Sequence, residues 1–213
     1  LLPAITESLG IVPHFYPERP LNRHSTSLFL ASSISFLSEI IGENRPDVVL
    51  VHGDTTTAMA GSIAAFLENI PVGHIEAGLR TFDLSAPYPE EGYRQMISRI
   101  STYNFTPTDE SKQNLITEGV KEEKIFVTGN TVVDVVHRFV KSKRPSRDSL
   151  DDWRDLSQGA EYCVVTLHRR ENHGERIEEA LRIIREELGE SGFKVLVIRH
   201  PNPKVLKSFQ DLD

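Results

Sequence analysis

Asp47-Val48-Val49-Leu50-Val51 runs without a break into His52-Gly53-Asp54-Thr55-Thr56-Thr57. Four consecutive apolar residues, three of them Val, followed by a Gly and a run of Thr, read as a short buried strand, a tight turn and the start of a helix. The strand has no polar alternation, as expected where both faces of a sheet are covered. The same pattern recurs at Val72–Ile75, 103–105, Ile125–Val127, Tyr162–Thr166 and 195–198, all rich in Val, Ile and aromatic residues. The intervening stretches carry helical spacing instead. Leu30, Ile34, Leu37 and Ile41 form one stripe, Met96, Ile97 and Ile100 fall in another, and 131–140 and 175–188 also read as helices. Strands alternating with helices of this length predict βαβ units and a parallel sheet, hence an α/β fold.

The chain has 213 residues, enough at roughly 150 per domain for one large domain or two small ones. The rhythm breaks at 141–160, a charged stretch with Pro145 and few apolar residues besides Leu150, Trp153 and Leu156. It is read as a connection between a lobe at 1–140 and a second at 161–213. The second lobe supplies only two strands, and the chain opens Leu1-Leu2-Pro3 without Met. Both lobes are therefore expected to be incomplete in this chain.

Composition excludes several function classes. Thirty-eight per cent hydrophobic and 26 per cent charged residues are ordinary globular values, so disorder and collagen-like structure are ruled out. A net charge of −7 does not advertise a nucleic-acid or anionic-membrane surface. The single Cys163 cannot form an internal disulfide, which suits a reducing cytoplasm. There is no apolar run of the roughly 18 residues a membrane span requires, and no basic region precedes an apolar one at the start, so neither a span nor a signal peptide is expected.

In open parallel sheets the ligand crevice lies beyond the carboxyl ends of the strands. Those ends deliver His52-Gly53-Asp54, Glu76-Ala77-Gly78-Leu79-Arg80, His168-Arg169-Arg170-Glu171-Asn172 and Arg199-His200-Pro201. Each has a structural alternative. Asp54 is a plausible helix N-cap. His52 and His74 read by default as core histidines, His168 with its arginines as a solvated turn, and Arg199-His200 as a strand terminus. Glu76 directly after an apolar strand is harder to explain structurally, because an unpaired buried carboxylate is costly. Pro87-Tyr88-Pro89-Glu90-Glu91-Gly92-Tyr93-Arg94 predicts a loop and a helix start with acids in the first turn, where the helix dipole favours them. Arg94, four residues beyond Glu90, offers it an ion pair. No GxxxxGK[ST] or GxGxxG phosphate motif, no GxSxG elbow and no HExxH metal motif occurs, and a single Cys disfavours zinc; no metal site is expected.

The blocks PDVVLVHGDTTTAMAG, IPVGHIEAGLRTFDLSAPYPEEGYR, FTPT, IFVTGNTVVD, TLHRREN and RHPNP, in that order, closely resemble the non-hydrolysing UDP-N-acetylglucosamine 2-epimerases. The resemblance runs from about Ile11 through Pro203. It implies two Rossmann-like lobes with parallel sheets facing a cleft, the glycosyltransferase-B arrangement. It places the catalytic positions on Asp54, Glu76, Glu90 and His168. Arg94, Arg169, Arg170 and His200 join Asp54, Glu76 and His168 as substrate-binding positions. It further implies UDP-N-acetylglucosamine and UDP as ligands, a homodimer, and no cofactor. The family's GTRPE-type phosphate loop would precede Leu1 and its uridine-binding segment would follow Asp213. Gly92-Tyr93 replaces the small-residue-and-Asn pair usual before the Arg.

The implied reaction removes a proton that is barely acidic, on a carbon with no adjacent carbonyl. Departure of UDP from carbon 1 makes it removable, giving 2-acetamidoglucal, and re-addition with protonation from the other face gives the manno isomer. This route does not oxidise the sugar and needs no nicotinamide. Hydrolysing epimerases resemble GDRxE and HIxGGE where this chain has GDTTT and HIEAGLR, which favours the non-hydrolysing type. A glycosyltransferase shares the architecture but no acceptor site is marked, and a non-catalytic nucleotide-sugar-binding protein or inactive partial chain is the alternative from another class.

Overall fold

The computed structural model describes residues 10–17, 25–141, 160–166, 175–189 and 192–198. The chain separates into two compact units, 1–138 and 139–213.

The first described helix of the first unit is α1 (Thr26–Asn44). Ser25 caps it, its hydroxyl accepting from the Leu28 amide at 3.2 Å. Arg45 closes it in the left-handed region (φ 45°), donating its N–H to the Ile41 carbonyl, and Pro46 prevents continuation. Strand β1 (Val49–His52) follows, then α2 (Thr56–Leu67), β2 (Val72–Ile75), α3 (Glu90–Ile100), β3 (Tyr103–Thr106), α4 (Asp109–Thr117), a short 3₁₀ turn at Glu122–Lys124, β4 (Ile125–Val127) and α5 (Thr131–Lys141). The strands lie parallel in the order β1-β2-β3-β4. Helix α2 is built from small residues, and Ala58, Ala60, Gly61, Ala64 and Ala65 are all buried. They let the helix axis approach the sheet closely: a Cβ on Gly61 would stand 3.2 Å from Val51 Cγ1.

A strand order that never reverses, with right-handed crossovers, puts every connecting helix on the same face of the sheet. The register shows the consequence. Val51, His74, Asn104 and Ile125 form one row across the four strands, and it lies under α2, α3 and α4. The core gathers there: Ile41, Val51, Met59, Ile70, Val72, Tyr93 and Ile97 in one cluster, and Ala77, Leu115 and Ile125 in another. Full burial of a side chain such as Ile97 contributes about 2 kcal/mol. On the other face Leu50, Tyr103 and Phe126 remain 58%, 41% and 43% exposed. Coverage of both faces, expected from the unalternated strands, is thus found among the described residues on one face only.

The described part of the second unit is one βαβ element. Strand β5 (Tyr162–Thr166) pairs in parallel with β6 (Lys194–Ile198), and α6 (Glu175–Gly189) connects them, with Ile177 and Leu181 buried. Among the described residues no helix is long and apolar enough to cross a membrane.

Candidate functional site

The turns after β1 and β2 are knitted together at the carboxyl edge of the sheet. Gly53 takes a left-handed conformation (φ 68°), which a residue without Cβ adopts at no cost. Its N–H donates to the Ile75 carbonyl at 2.9 Å, and its own carbonyl is 2.9 Å from His74 Nε2. A carbonyl only accepts, so Nε2 carries the proton and His74 is the Nε2–H tautomer at this bond. His74 is fully buried, and burial pushes its pKa down to about 4, the bond to Gly53 offsetting this only in part. The core reading of His74 holds, with a specific task added: it fixes the turn that carries Asp54.

Asp54 does not cap α2. Thr55 does, its hydroxyl accepting from the Ala58 amide at 3.2 Å. The Asp54 carboxylate is left to Arg94, whose Nε and Nη2 both reach Oδ2 at 2.7 Å. The third guanidinium nitrogen, Nη1, lies 3.3 Å from Oε2 of Glu91. The ion pair anticipated between Arg94 and Glu90 is therefore replaced by pairs with Asp54 and Glu91. The reason is helical phase: α3 turns Glu91 inward, where it is completely buried, and leaves Glu90 on the partly exposed flank.

Glu91 is well satisfied there. It accepts from the Thr81 and Phe82 amides at 3.1 and 3.2 Å, from Gln95 Nε2 at 2.9 Å and from Arg94. Burial on its own raises such a carboxyl's pKa, but the bonds from Gln95, Thr81 and Phe82 and the charge of Arg80 outweigh it, so Glu91 sits below the usual carboxylate value.

Glu76 occupies the turn after β2 with φ 66°, a region where a side chain with a Cβ costs about 1–2 kcal/mol. Its Oε2 is 3.2 Å from His52 Nε2, and its Oε1 accepts from Asn130 Nδ2 at 3.2 Å. His52 is thus no core histidine: its side chain is 53% exposed and faces an acid. Asn130 comes from the turn after β4, so three strand ends meet around one carboxylate.

Arg80 belongs to a different network. Its side chain is fully buried and grips Glu118 with two bonds, Nε to Oε1 at 2.6 Å and Nη2 to Oε2 at 2.9 Å, while Nη2 also reaches Ser98 Oγ at 3.0 Å. This planar fork-to-fork pair ties the β2 turn to α3 and α4.

Of the residues expected at the site, Asp54, Glu76 and Arg94 lie at this edge, and Glu90 heads the helix that carries Arg94. His168, Arg169, Arg170 and His200 lie outside the described residues. Glu91, His52 and Asn130 were not anticipated. Glu91 and Arg94 share a polar helical stripe with Gln95 and Ser98 at 91, 94, 95 and 98, and that spacing was the available signal. The arrangement offers carboxylates for proton transfer, braced by a guanidinium and an imidazole. Among the described residues no group of three or more His, Cys, Asp or Glu side chains is placed to hold a metal ion.

Residues 4–212 match the family model described as UDP-N-acetylglucosamine 2-epimerase. The chain is 40% identical to the UDP-N-acetylglucosamine 2-epimerase of Neisseria meningitidis, over 92% of this chain and 52% of that protein. It is 38% identical to that of Bacillus subtilis, over 100% of this chain and 56% of the relative. A crystal structure of the Neisseria meningitidis UDP-GlcNAc 2-epimerase bound to UDP-GlcNAc superposes with a TM-score of 0.84 at 36% identity, over 99% of this chain and 58% of that one. The chain spans about half the length of the curated relatives it matches. With a family model covering nearly its whole length and a matching α/β architecture of parallel sheets, the chain belongs to the UDP-N-acetylglucosamine 2-epimerase family.

Proposed function

We propose that the protein containing this chain interconverts UDP-N-acetylglucosamine and UDP-N-acetylmannosamine without hydrolysis. The observation that carries the reading is the grouping of acids at one sheet edge: Asp54 held by Arg94, Glu76 held by His52 and Asn130, and Glu90 at the head of the helix that supplies Arg94. Asp54 is fixed by a guanidinium and Glu76 by an imidazole and an amide, as general acid–base catalysis requires of a group that must sit within hydrogen-bond reach of a moving proton. The structural relative from Neisseria meningitidis is bound to UDP-GlcNAc, which supports a nucleotide sugar as the ligand.

In this reading a carboxylate takes the proton from carbon 2 while the carbon 1–oxygen bond breaks and its electron pair leaves with UDP. The C1–C2 double bond of 2-acetamidoglucal forms. UDP then adds back at carbon 1, and a second acid delivers a proton to the opposite face of carbon 2. Asp54, Glu76 and Glu90 supply the acid–base groups. His168, which the resemblance makes catalytic, protonates or hydrogen-bonds the departing phosphate in this reading, helped by Arg169 or Arg170, and His200 joins in substrate binding. Turnover in heavy water tests the reading. The manno product should carry deuterium at carbon 2, traces of 2-acetamidoglucal should be released, and free N-acetylmannosamine should not accumulate. Product without solvent deuterium, or stoichiometric free sugar, refutes it. Asp54→Asn, Glu76→Gln and Glu90→Gln should each lower turnover by about 10²-fold or more, the usual weight of an acid–base group, with the fold retained.

A further inference from the structure

We propose that Glu91 is a positioning residue for this reaction, a buried anion that sets both the guanidinium holding Asp54 and the loop running on from Glu76. The inference rests on the reading given above for Asp54 and Glu76.

Glu91 has no solvent exposure, and its carboxylate accepts from four donors. An anion so placed is costly unless every donor is aimed at it, so the donors are fixed in turn. Two are consecutive backbone amides, Thr81 and Phe82, in the loop that joins β2 to α3, and Phe82 is held in the left-handed region (φ 59°). A third is Arg94, whose planar fork meets Glu91 through Nη1 and Asp54 through Nε and Nη2. A guanidinium pinned at one nitrogen has little freedom at the other two, so the Asp54 carboxylate inherits its orientation from a residue 37 positions away (91 minus 54). Lysine, a point charge, cannot do this for both acids at once. Displacing a catalytic group by about 1 Å costs about 10²-fold in rate, and that is the size of effect expected here.

The test uses the full-length protein. Glu91→Gln keeps the shape and removes the charge. Its kcat should fall by about 10²-fold while KM for UDP-N-acetylglucosamine stays within about twofold, because geometry at the reacting atoms is lost and ground-state binding is not. The Arg94 Nε–H resonance should shift, and amide exchange at Thr81 and Phe82 should quicken by about tenfold or more. Arg94→Lys separates the two arms: it should reproduce the loss of kcat yet leave Thr81 and Phe82 protected. It also stands in should Glu91→Gln fail to fold. A Glu91→Gln protein with unchanged kcat, an unmoved Arg94 signal, or kcat and KM worsening together with protection lost throughout the first unit overturns the proposal. If the wild-type protein proves not to epimerise, the functional reading fails by itself, and the Arg94 resonance and the two amides still decide whether Glu91 sets the loop and the fork.

Discussion

Acidification should unfasten the first unit through His74 before it titrates most carboxylates. The ring is 0% exposed, its Nε2–H donates to the Gly53 carbonyl, and Nδ1 has no hydrogen-bond partner among the described residues. Protonation would put a charge on that buried nitrogen, beside Asn104, its partner in the β2–β3 register. Burial moves the pKa from 6.5 to about 4; the bond to Gly53 and the Asp54 carboxylate act against the shift, and Arg80 and His52 act with it. Above pH 6.5 neither the folded nor the unfolded chain holds this proton, and the full stability is present. As the pH falls, the unfolded chain binds the proton first and stability drops, until near pH 4 the folded chain binds it too and the loss levels off. A gap from 6.5 to about 4, at about 1.4 kcal/mol per pH unit, makes a loss of about 3 kcal/mol.

Urea unfolding followed by circular dichroism between pH 7 and pH 4 measures it, with His74→Gln as the reference. Glutamine keeps a donor for the Gly53 carbonyl and does not titrate, while carboxylate effects are common to both proteins and cancel in the difference. The wild type should start more stable and lose about 3 kcal/mol more than the variant across this range. Parallel pH curves, or a His74 ring resonance titrating near 6.5, would refute the reasoning.

Two further substitution pairs test backbone geometry. At position 76, Glu76→Gly should be more stable than Glu76→Ala by about 1 kcal/mol by chemical denaturation, the reverse of the usual loop preference, because φ 66° strains any residue with a Cβ; the ordinary order would show that the turn relaxes. Gly78→Ala should cost about 3 kcal/mol or more in thermal or urea unfolding, since its Cβ would run into the Ser111 carbonyl of α4 at φ 84°. Gly92→Ala, in a helix with open space around the added methyl, should instead stabilise by up to about 1 kcal/mol.

What was legible in the sequence follows from what is local. β2, β4 and β5 have the bounds of the apolar runs, and Pro71, which has no amide to donate, stands directly before β2. β1 starts two residues later than its run, at Val49, whose amide makes the first ladder bond to the Pro71 carbonyl. The choice between Asp54 and Thr55 as cap was not legible, since both side chains accept and only the path of the turn decides which one meets the Ala58 amide. Phase was the harder problem in α3. Met96, Ile97 and Ile100 suggested one buried stripe, yet Met96 is 45% exposed and the buried face runs through Glu91, Tyr93, Ile97 and Ser98. Neighbouring residues on a helix point about 100° apart, so moving the inward face by one position exchanges Glu90 for Glu91. The donors that make a buried Glu91 tolerable come partly from a separate loop, at Thr81 and Phe82, and pattern reading within α3 does not see them.

The same non-local pairing explains how acids can crowd one sheet edge without repelling it apart. Asp54 and Glu91 share the single guanidinium of Arg94, so those three groups carry one net negative charge rather than two. Glu76 is held apart from them on His52 and the neutral amide of Asn130. Arg80, the other cation of this region, is fully engaged with Glu118 and Ser98, and bridges neither Asp54 nor Glu76. The edge is therefore left electronegative and short of free donors for a pyrophosphate among its described residues. In the proposed reading the phosphates of a nucleotide sugar fall not to this edge but to His168 with Arg169 or Arg170. Reversing the sign of Arg169 and Arg170 together, to Glu, should then abolish UDP binding in calorimetry while leaving the unfolding of the first unit unchanged. Retained UDP affinity in that double variant would move the phosphate site elsewhere.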